Sequence, residues 1–361
     1  MKRTKKKDAP RKSEGSTRVR PATLKQVAAD AGVHPSTVSR VLNPSTRGMI
    51  ADDVALRVQA SAKKLGYRPD SVAVSLRTGR SRLVGVLLPD IANLVFPPIL
   101  SGVTDVLHRS GYSTIIAEVE ADRDSQLQLI EQLIMRRVDG LVLATASRSD
   151  PVVTYCIERH QPVVLVNRTE AQARVSAVVS DDRKAMQLVM DHLVSLGHRR
   201  IGHLAGPAAL STGFSRRQGF ELSARAHKLM AKEVAIETTA AYAREEGVAA
   251  TRRLLDRHPD LTAIAAANDL LALGAYEALR ERGFKCPQDV SVVGHNDMPL
   301  VDIMSPPLTT VRIAHREMGS EAAQLLVAEM TGQASPKRHV VLAPSLVVRG
   351  STAAPPSRRK R

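Results

Sequence analysis

Tryptophan is absent from these 361 residues, and only five tyrosines and four phenylalanines are present. Surfaces that read single-stranded nucleic acid stack bases on aromatic rings, so this composition argues against that mode of binding. Cysteine is nearly absent too. Cys156 and Cys286 form no close pair and have no metal-ligand spacing, and they read as buried packing residues of a reducing compartment. No apolar run approaches the roughly 18 residues that would cross a bilayer. The polar N-terminus carries no secretory segment, so a cytoplasmic protein without membrane contact is expected. Gly-x-Ser-x-Gly, His-Glu-x-x-His, a P-loop and a strand-borne G-x-G-x-x-G are all missing. Gly202-His203-Leu204-Ala205-Gly206 has too few glycines for a dinucleotide turn. No catalytic residue, metal or cofactor is assigned on this basis, and an enzyme is not expected.

What the chain does have is positive charge, unevenly placed. The net charge is +16. Residues 1–20 carry +7, residues 21–80 carry +5 and residues 358–361 carry +4, which leaves the long middle of the chain balanced. A basic run by itself is usually a solvated tail. Here it adjoins Thr23 to Asn43, TLKQVAADAGVHPSTVSRVLN, which reads as two short helices around a turn. Leu24, Val27 and Ala28 have the i, i+3, i+4 spacing of an amphipathic helix. Gly32 suits the turn because it tolerates positive φ, and Pro35 suits the first position of a second helix. Val38, Val41 and Leu42 then face inward, leaving His34, Ser36, Thr37, Ser39 and Arg40 outward. Such a small, polar outer face points to a helix-turn-helix that enters double-stranded DNA rather than to an ordinary solvated pair.

This segment, followed by Leu65-Gly66-Tyr67-Arg68-Pro69-Asp70 and Ala73-Val74-Ser75-Leu76, resembles the headpiece and hinge of the lactose-repressor (LacI/GalR) family of bacterial transcription regulators. Gln26 stands where that family has Asp, His34 where it has Ser, and Val74 where it often has Arg. The resemblance implies an all-α headpiece, a hinge helix and a two-lobed α/β effector domain with parallel sheets, of the periplasmic-binding-protein type. It implies that His34, Ser36 and Arg40 read bases, and that Thr23, Thr37, Ser39 and Asn43 fix register on phosphates. Pro35 adjoins them. Ala73 and Leu76 belong to the hinge, with Leu76 wedged into the minor groove. A homodimer on a near-palindromic operator is implied as well. The expected organisation is a disordered basic arm at 1–20, headpiece at 21–69, hinge at 70–80, effector and dimerisation body at 81–350, and a disordered basic tail at 351–361.

The body carries the βα alternation of covered parallel sheets on its own evidence. Strands are expected at 83–88, 114–117, 140–144, 163–166, 201–205, 264–267 and 290–293, with helices between them. About 270 residues exceed one such sheet, so two lobes are expected; the family resemblance implies three chain crossings between them, placed near 180–182, 312–314 and 343. Ligands of such folds sit beyond the carboxyl ends of the strands. Asp90, Phe96, Asn167, Arg216, Tyr242, Asn268 and Asn296 are the candidate effector contacts, although each alone would serve equally as a loop or cap residue. Arg216 falls where the family commonly grips its effector. Asn167 and Asn296 stand where the family has Asp, and an amide donates as well as accepts. A sugar acid therefore gains on a neutral sugar as the effector. A ligand-independent architectural DNA-binding protein is the alternative, disfavoured by the large neutral body.

Overall fold

The computed structural model describes residues 22–43, 46–67, 79–119, 123–333 and 336–356. The arm at 1–20, hinge residues Ala73 and Leu76, and the tail from 357 lie outside the described residues. The chain divides into two compact units, Met1–Ser81 and Arg82–Arg361.

In the first unit, α1 (Leu24–Ala31) and α2 (Pro35–Val41) flank a turn whose Gly32 has φ of 67°, and α3 (Asp52–Lys64) closes the bundle. Val27, Ala28, Ala31, Val38, Val41, Ala55, Val58 and Ala62 form its core. These side chains are small, so the helices approach closely. Ser61 uses that proximity to donate to the Val27 carbonyl at 3.3 Å, and Lys64 pairs with Asp30 across α3 and α1 at 2.7 Å.

The second unit contains two six-stranded sheets. The first comprises β1 (Leu83–Leu88), β2 (Ser113–Glu118), β3 (Gly140–Leu143), β4 (Val163–Val166), β5 (Ser176–Ser180) and β11 (His339–Leu342). It is ordered β11-β5-β4-β3-β1-β2 and is parallel throughout. The second comprises β6 (Ile201–Ala205), β7 (Val234–Thr238), β8 (Ala263–Ala266), β9 (Ser291–Asn296), β10 (Thr309–Arg312) and β12 (Ser345–Val347). Its order is β12-β10-β9-β8-β6-β7, and only the edge strand β12 runs antiparallel. Helices α4 (Phe96–Arg109), α5 (Arg123–Met135), α6 (Pro151–Glu158) and α11 (His315–Met330) belong to the first lobe. Helices α7 (Asp182–Ser195), α8 (Ser211–Ala226), α9 (Arg244–Arg257) and α10 (Asp269–Glu281) belong to the second.

Two-residue periodicity explains why each sheet has a core on both faces. Along β1, Val84, Val86 and Leu88 enter one cluster with Phe96, Ile99 and Leu326, while Leu87 enters the opposite cluster with Leu141 and Leu165. The second sheet repeats this, with Ile264 and Val292 on one face and Ala263, Ala265 and Val293 on the other. The chain passes between lobes three times: from β5 to α7, from β10 to α11, and from β11 to β12.

Several elements depart from the sequence reading. Helix α8 begins at Ser211, five residues before Arg216, so Arg216, sought beyond a strand end, lies inside a helix. Strands β5, β7 and β10–β12 were not expected; β11 and β12 are short, half-exposed edge strands with weak apolar signals. Residues 351–356, read as part of a tail, are bound into the second lobe. Ser351 is fully buried, accepting from the Thr309 N–H at 2.8 Å and donating to the Val292 carbonyl at 2.6 Å. Among the described residues no helix is long and apolar enough to cross a membrane.

Helices α4 and α11 pack backbone to backbone through two glycines. A Cβ on Gly319 would fall against the Ile99 carbonyl, and one on Gly102 against the Arg316 carbonyl. In an exposed helix Gly→Ala stabilises by about 1 kcal/mol; at this crossing Gly319→Ala should instead destabilise by about 1–3 kcal/mol through overpacking. Urea denaturation of the variant checks the sign.

Candidate functional site

The headpiece presents a polar face built on two local caps. Thr23 and Gln26 form a reciprocal box: the Thr23 hydroxyl accepts from the Gln26 N–H at 3.4 Å, and Gln26 Oε1 accepts from the Thr23 N–H at 2.8 Å. Gln26 thus does at the third helical position what a capping box requires there. His34 caps α2, its Nδ1 accepting from the Ser36 N–H at 3.2 Å and lying 2.8 Å from the Ser36 hydroxyl. His34, Ser36 and Arg40 are exposed, whereas Pro35, Thr37, Ser39 and Asn43 are half-buried against the bundle. Thr46 donates to the Arg40 carbonyl at 2.9 Å and fixes the end of α2. Among the described residues no ion pair holds the exposed Arg40.

In the body, the candidate residues separate into those the fold draws together and those it uses locally. Arg216 is the centre of the first group. It is buried, donating through Nε to Asp182 Oδ1 at 2.8 Å and through Nη1 to the Ala267 carbonyl at 2.6 Å. Burial alone would lower its pKa, but the Asp182 carboxylate and the Tyr242 phenol hold it above the ordinary value. Burial likewise raises Asp182, with Arg216 pulling the other way. The Tyr242 ring lies 5.9 Å from the Arg216 guanidinium, and its hydroxyl donates to Thr212 Oγ1 at 3.1 Å. Gly206 makes this ring position available, since a Cβ there would collide with Tyr242.

Asn296 ends β9 with φ of 119° and keeps its Oδ1 sealed without a partner among the described residues. The adjacent His295 is fully buried, and neither ring nitrogen makes a hydrogen bond among the described residues; Nε2 lies 3.5 Å from Asp182 Oδ1. Arg168, just beyond β4 of the first lobe, lies within electrostatic reach of Arg216 and Tyr242. Two further links join the lobes on this side. The Arg148 guanidinium lies 3.7 Å from the Phe214 ring centroid, and the Thr169 N–H donates to Ser211 Oγ at 3.0 Å.

The remaining candidates hold local positions. Asp90 accepts from the Ala92 N–H at 2.8 Å and shapes its own loop. Phe96 is buried in the first-lobe core at the start of α4. Asn167 adopts a left-handed turn, with φ of 64° and its N–H donated to Val178. Asn268 caps α10, accepting from the Leu271 N–H at 2.9 Å. Sequence reasoning did not select Asp182 or His295 for the site. A counter-charge for a buried Arg216 was the available signal for Asp182, yet nothing in the spacing says which of 36 acids supplies it.

These features define a class: a helix-turn-helix headpiece joined to a two-lobed body with a polar cleft at the carboxyl ends of its strands. A family model described as bacterial regulatory proteins, lacI family, matches residues 23–70, and one described as a periplasmic binding protein-like domain matches residues 190–352. The HTH-type transcriptional regulator reg1 of Streptomyces lividans is 37% identical over 352 residues, covering 94% of this chain and 99% of the relative. The lac repressor dimer bound to operator and the anti-inducer ONPF superposes with a TM-score of 0.82 at 28% identity, over 93% of this chain and 100% of that one. The complex of the transcriptional regulator CelR with cellobiose superposes with a TM-score of 0.70 at 32% identity, over 91% of this chain and 99% of that one. The chain belongs to the lacI family of bacterial DNA-binding transcriptional regulators.

Two predictions follow from the cleft. Asp182→Asn strands the Arg216 charge in the interior, which should cost about 3–5 kcal/mol; an unchanged denaturation midpoint would show that the pair is not ionic. The second concerns pH. Burial lowers His203 and His315 to about 4 and His295 well below its ordinary value, and it raises Asp269 to about 6. Between pH 6.5 and 4 the unfolded chain takes protons that the three folded imidazoles refuse, so each loses stability on acidification, by about 3 kcal/mol for the shifts of His203 and His315. Asp269 acts oppositely, because the folded state keeps its proton below pH 6. With His192 and His198 also lowered by burial, the depressed imidazoles outnumber the raised carboxyls of Asp269 and Asp182, so the melting temperature should fall from pH 7 to pH 5, as read by calorimetry.

Proposed function

We propose that this chain is a cytoplasmic, homodimeric repressor, without catalytic turnover, whose operator affinity is set by a sugar or sugar acid bound between its lobes. The carrying observation is the buried polar set at the carboxyl end of β9. Asn296 Oδ1 and the His295 ring keep polar atoms without protein partners beside a guanidinium already oriented by Asp182. Unpaired buried polar groups are costly, and ligand hydroxyls or carboxylates are the groups that would satisfy them. The cellobiose complex of a relative supports a carbohydrate as the ligand.

His34, Ser36 and Arg40 are the proposed base contacts, Arg40 by bidentate pairing to guanine. Thr23, Thr37, Ser39 and Asn43 position the helix on phosphates. One headpiece spans too few base pairs for genomic selectivity, so two act together; the operator-bound dimer of a relative supports this. A ligand that favours one arrangement of the lobes shifts the population competent for DNA, and the hinge bearing Ala73 and Leu76 is the proposed transmitter.

Gel shifts of the full chain on an operator found by site selection test the reading. Arg40→Ala should weaken binding by about 1–3 kcal/mol and relax one base position, and the active sugar should change wild-type affinity at least tenfold. An identical consensus and affinity for Arg40→Ala would remove the DNA-reading assignment. Operator affinity indifferent to every saccharide that the body binds would remove the regulatory one.

A further inference from the structure

The cleft holds two guanidiniums and one counter-ion. Asp182 neutralises Arg216 at 2.8 Å. Arg168 has no such partner among the described residues: no ion pair or side-chain hydrogen bond engages it there, and its Nε is sealed from solvent without an acceptor. Only its backbone is engaged, the N–H donating to the Val166 carbonyl at 2.7 Å in the tight turn that Asn167 enters with positive φ. Burial, with Arg216 adding to it, lowers the Arg168 pKa to about 10 despite the opposing pull of Tyr242. The group is therefore still a full cation at neutral pH. Its neighbour Asn167, and Asn296 at the end of β9, are amides, which contribute no negative charge.

A desolvated cation without a counter-charge is unfavourable, and such strain is commonly kept where a ligand relieves it. Resting on the effector reading above, we infer that Arg168 is the anion-binding residue of the cleft, taking a carboxylate or phosphate carried on a hydroxylated ligand. A planar fork of five donors suits either group bidentately. Asn296 Oδ1 wants a donor and so serves a hydroxyl of the same ligand. The site thus distinguishes an acidic sugar from its neutral parent by charge, where hydroxyl contacts alone would not.

The test has two parts, both on the full-length protein. Arg168→Met removes the charge and keeps most of the length. Without ligand this variant should melt about 2–4 °C higher than wild type, the shift expected when roughly one kcal/mol of buried-charge penalty is relieved. A lower melting temperature would overturn the inference by showing that Arg168 holds the lobe together. The second part is calorimetric titration with two matched sets: glucose, glucuronate and glucose 6-phosphate, and the same three forms of galactose. An anionic member should bind about 10- to 100-fold tighter than its neutral parent, as a charge-assisted buried contact provides, and Arg168→Met should abolish that advantage. Comparing the carboxylate with the phosphate arm identifies the anion. Equal binding of a neutral sugar by wild type and variant, with no gain for the acids, overturns the anion assignment and leaves the effector reading standing. Binding of none of the six, by either protein, overturns both.

Discussion

The second lobe is organised around a guanidinium that has been taken out of water. Arg216 comes from the second turn of α8, Asp182 from the first residue of α7 where the chain has just crossed between lobes, and the Ala267 carbonyl from the end of β8. A buried ion pair adds little net stability, since desolvation offsets most of the Coulombic gain. Its consequence is positional. With one partner displaced, the other is left as an uncompensated charge, so the three segments are held in a single arrangement. Tyr242, His295 and Arg168 are arranged about that fixed charge, and the character of the cleft follows from it.

The same constraint explains the contrast between the two units. Across the body surface, arginines are matched by carboxylates: Arg199 with Glu233, Arg244 with Glu277, Arg252 with Glu281, Arg282 with Asp256, and Arg253 and Arg257 with Glu237. Each exposed pair is worth little by itself. Together they cancel the field of the body, leaving the excess positive charge in the first 80 residues and the extreme C-terminus. Attraction to a polyanion is therefore concentrated in the end that carries the helix-turn-helix and in the extreme C-terminus, while the cleft is free to recognise a small ligand by local chemistry.

Small residues do comparable work in the packing. Gly102 and Gly319 let α4 and α11 meet along their backbones, Gly247 and Gly274 do so for α9 and α10, and Gly206 leaves room for the Tyr242 ring. None of these glycines needs a positive φ. They are required for the space that they leave, and their neighbours come from distant parts of the chain.

Local order was legible in the sequence. The apolar spacing in α1 and α2, the Gly32 turn, Pro35 at a helix start and the buried runs of β1, β3, β4, β6 and β8 each depend on a few consecutive residues, so their signals survive without any knowledge of tertiary neighbours. The charge asymmetry was legible for the same reason. Elements whose stability comes from elsewhere were not: β11 and β12 exist because β5 and β10 offer them open edges, and residues 351–356 are ordered because the Val292 carbonyl and the Thr309 N–H need a partner. The cleft divides in the same way. Arg216 could be singled out from its place in a motif, but its partnership with Asp182, 34 positions away, and the isolation of Arg168 are properties of a folded interior. Which charges are paired and which are left alone depends on which are deprived of water together, and the tertiary structure alone decides that.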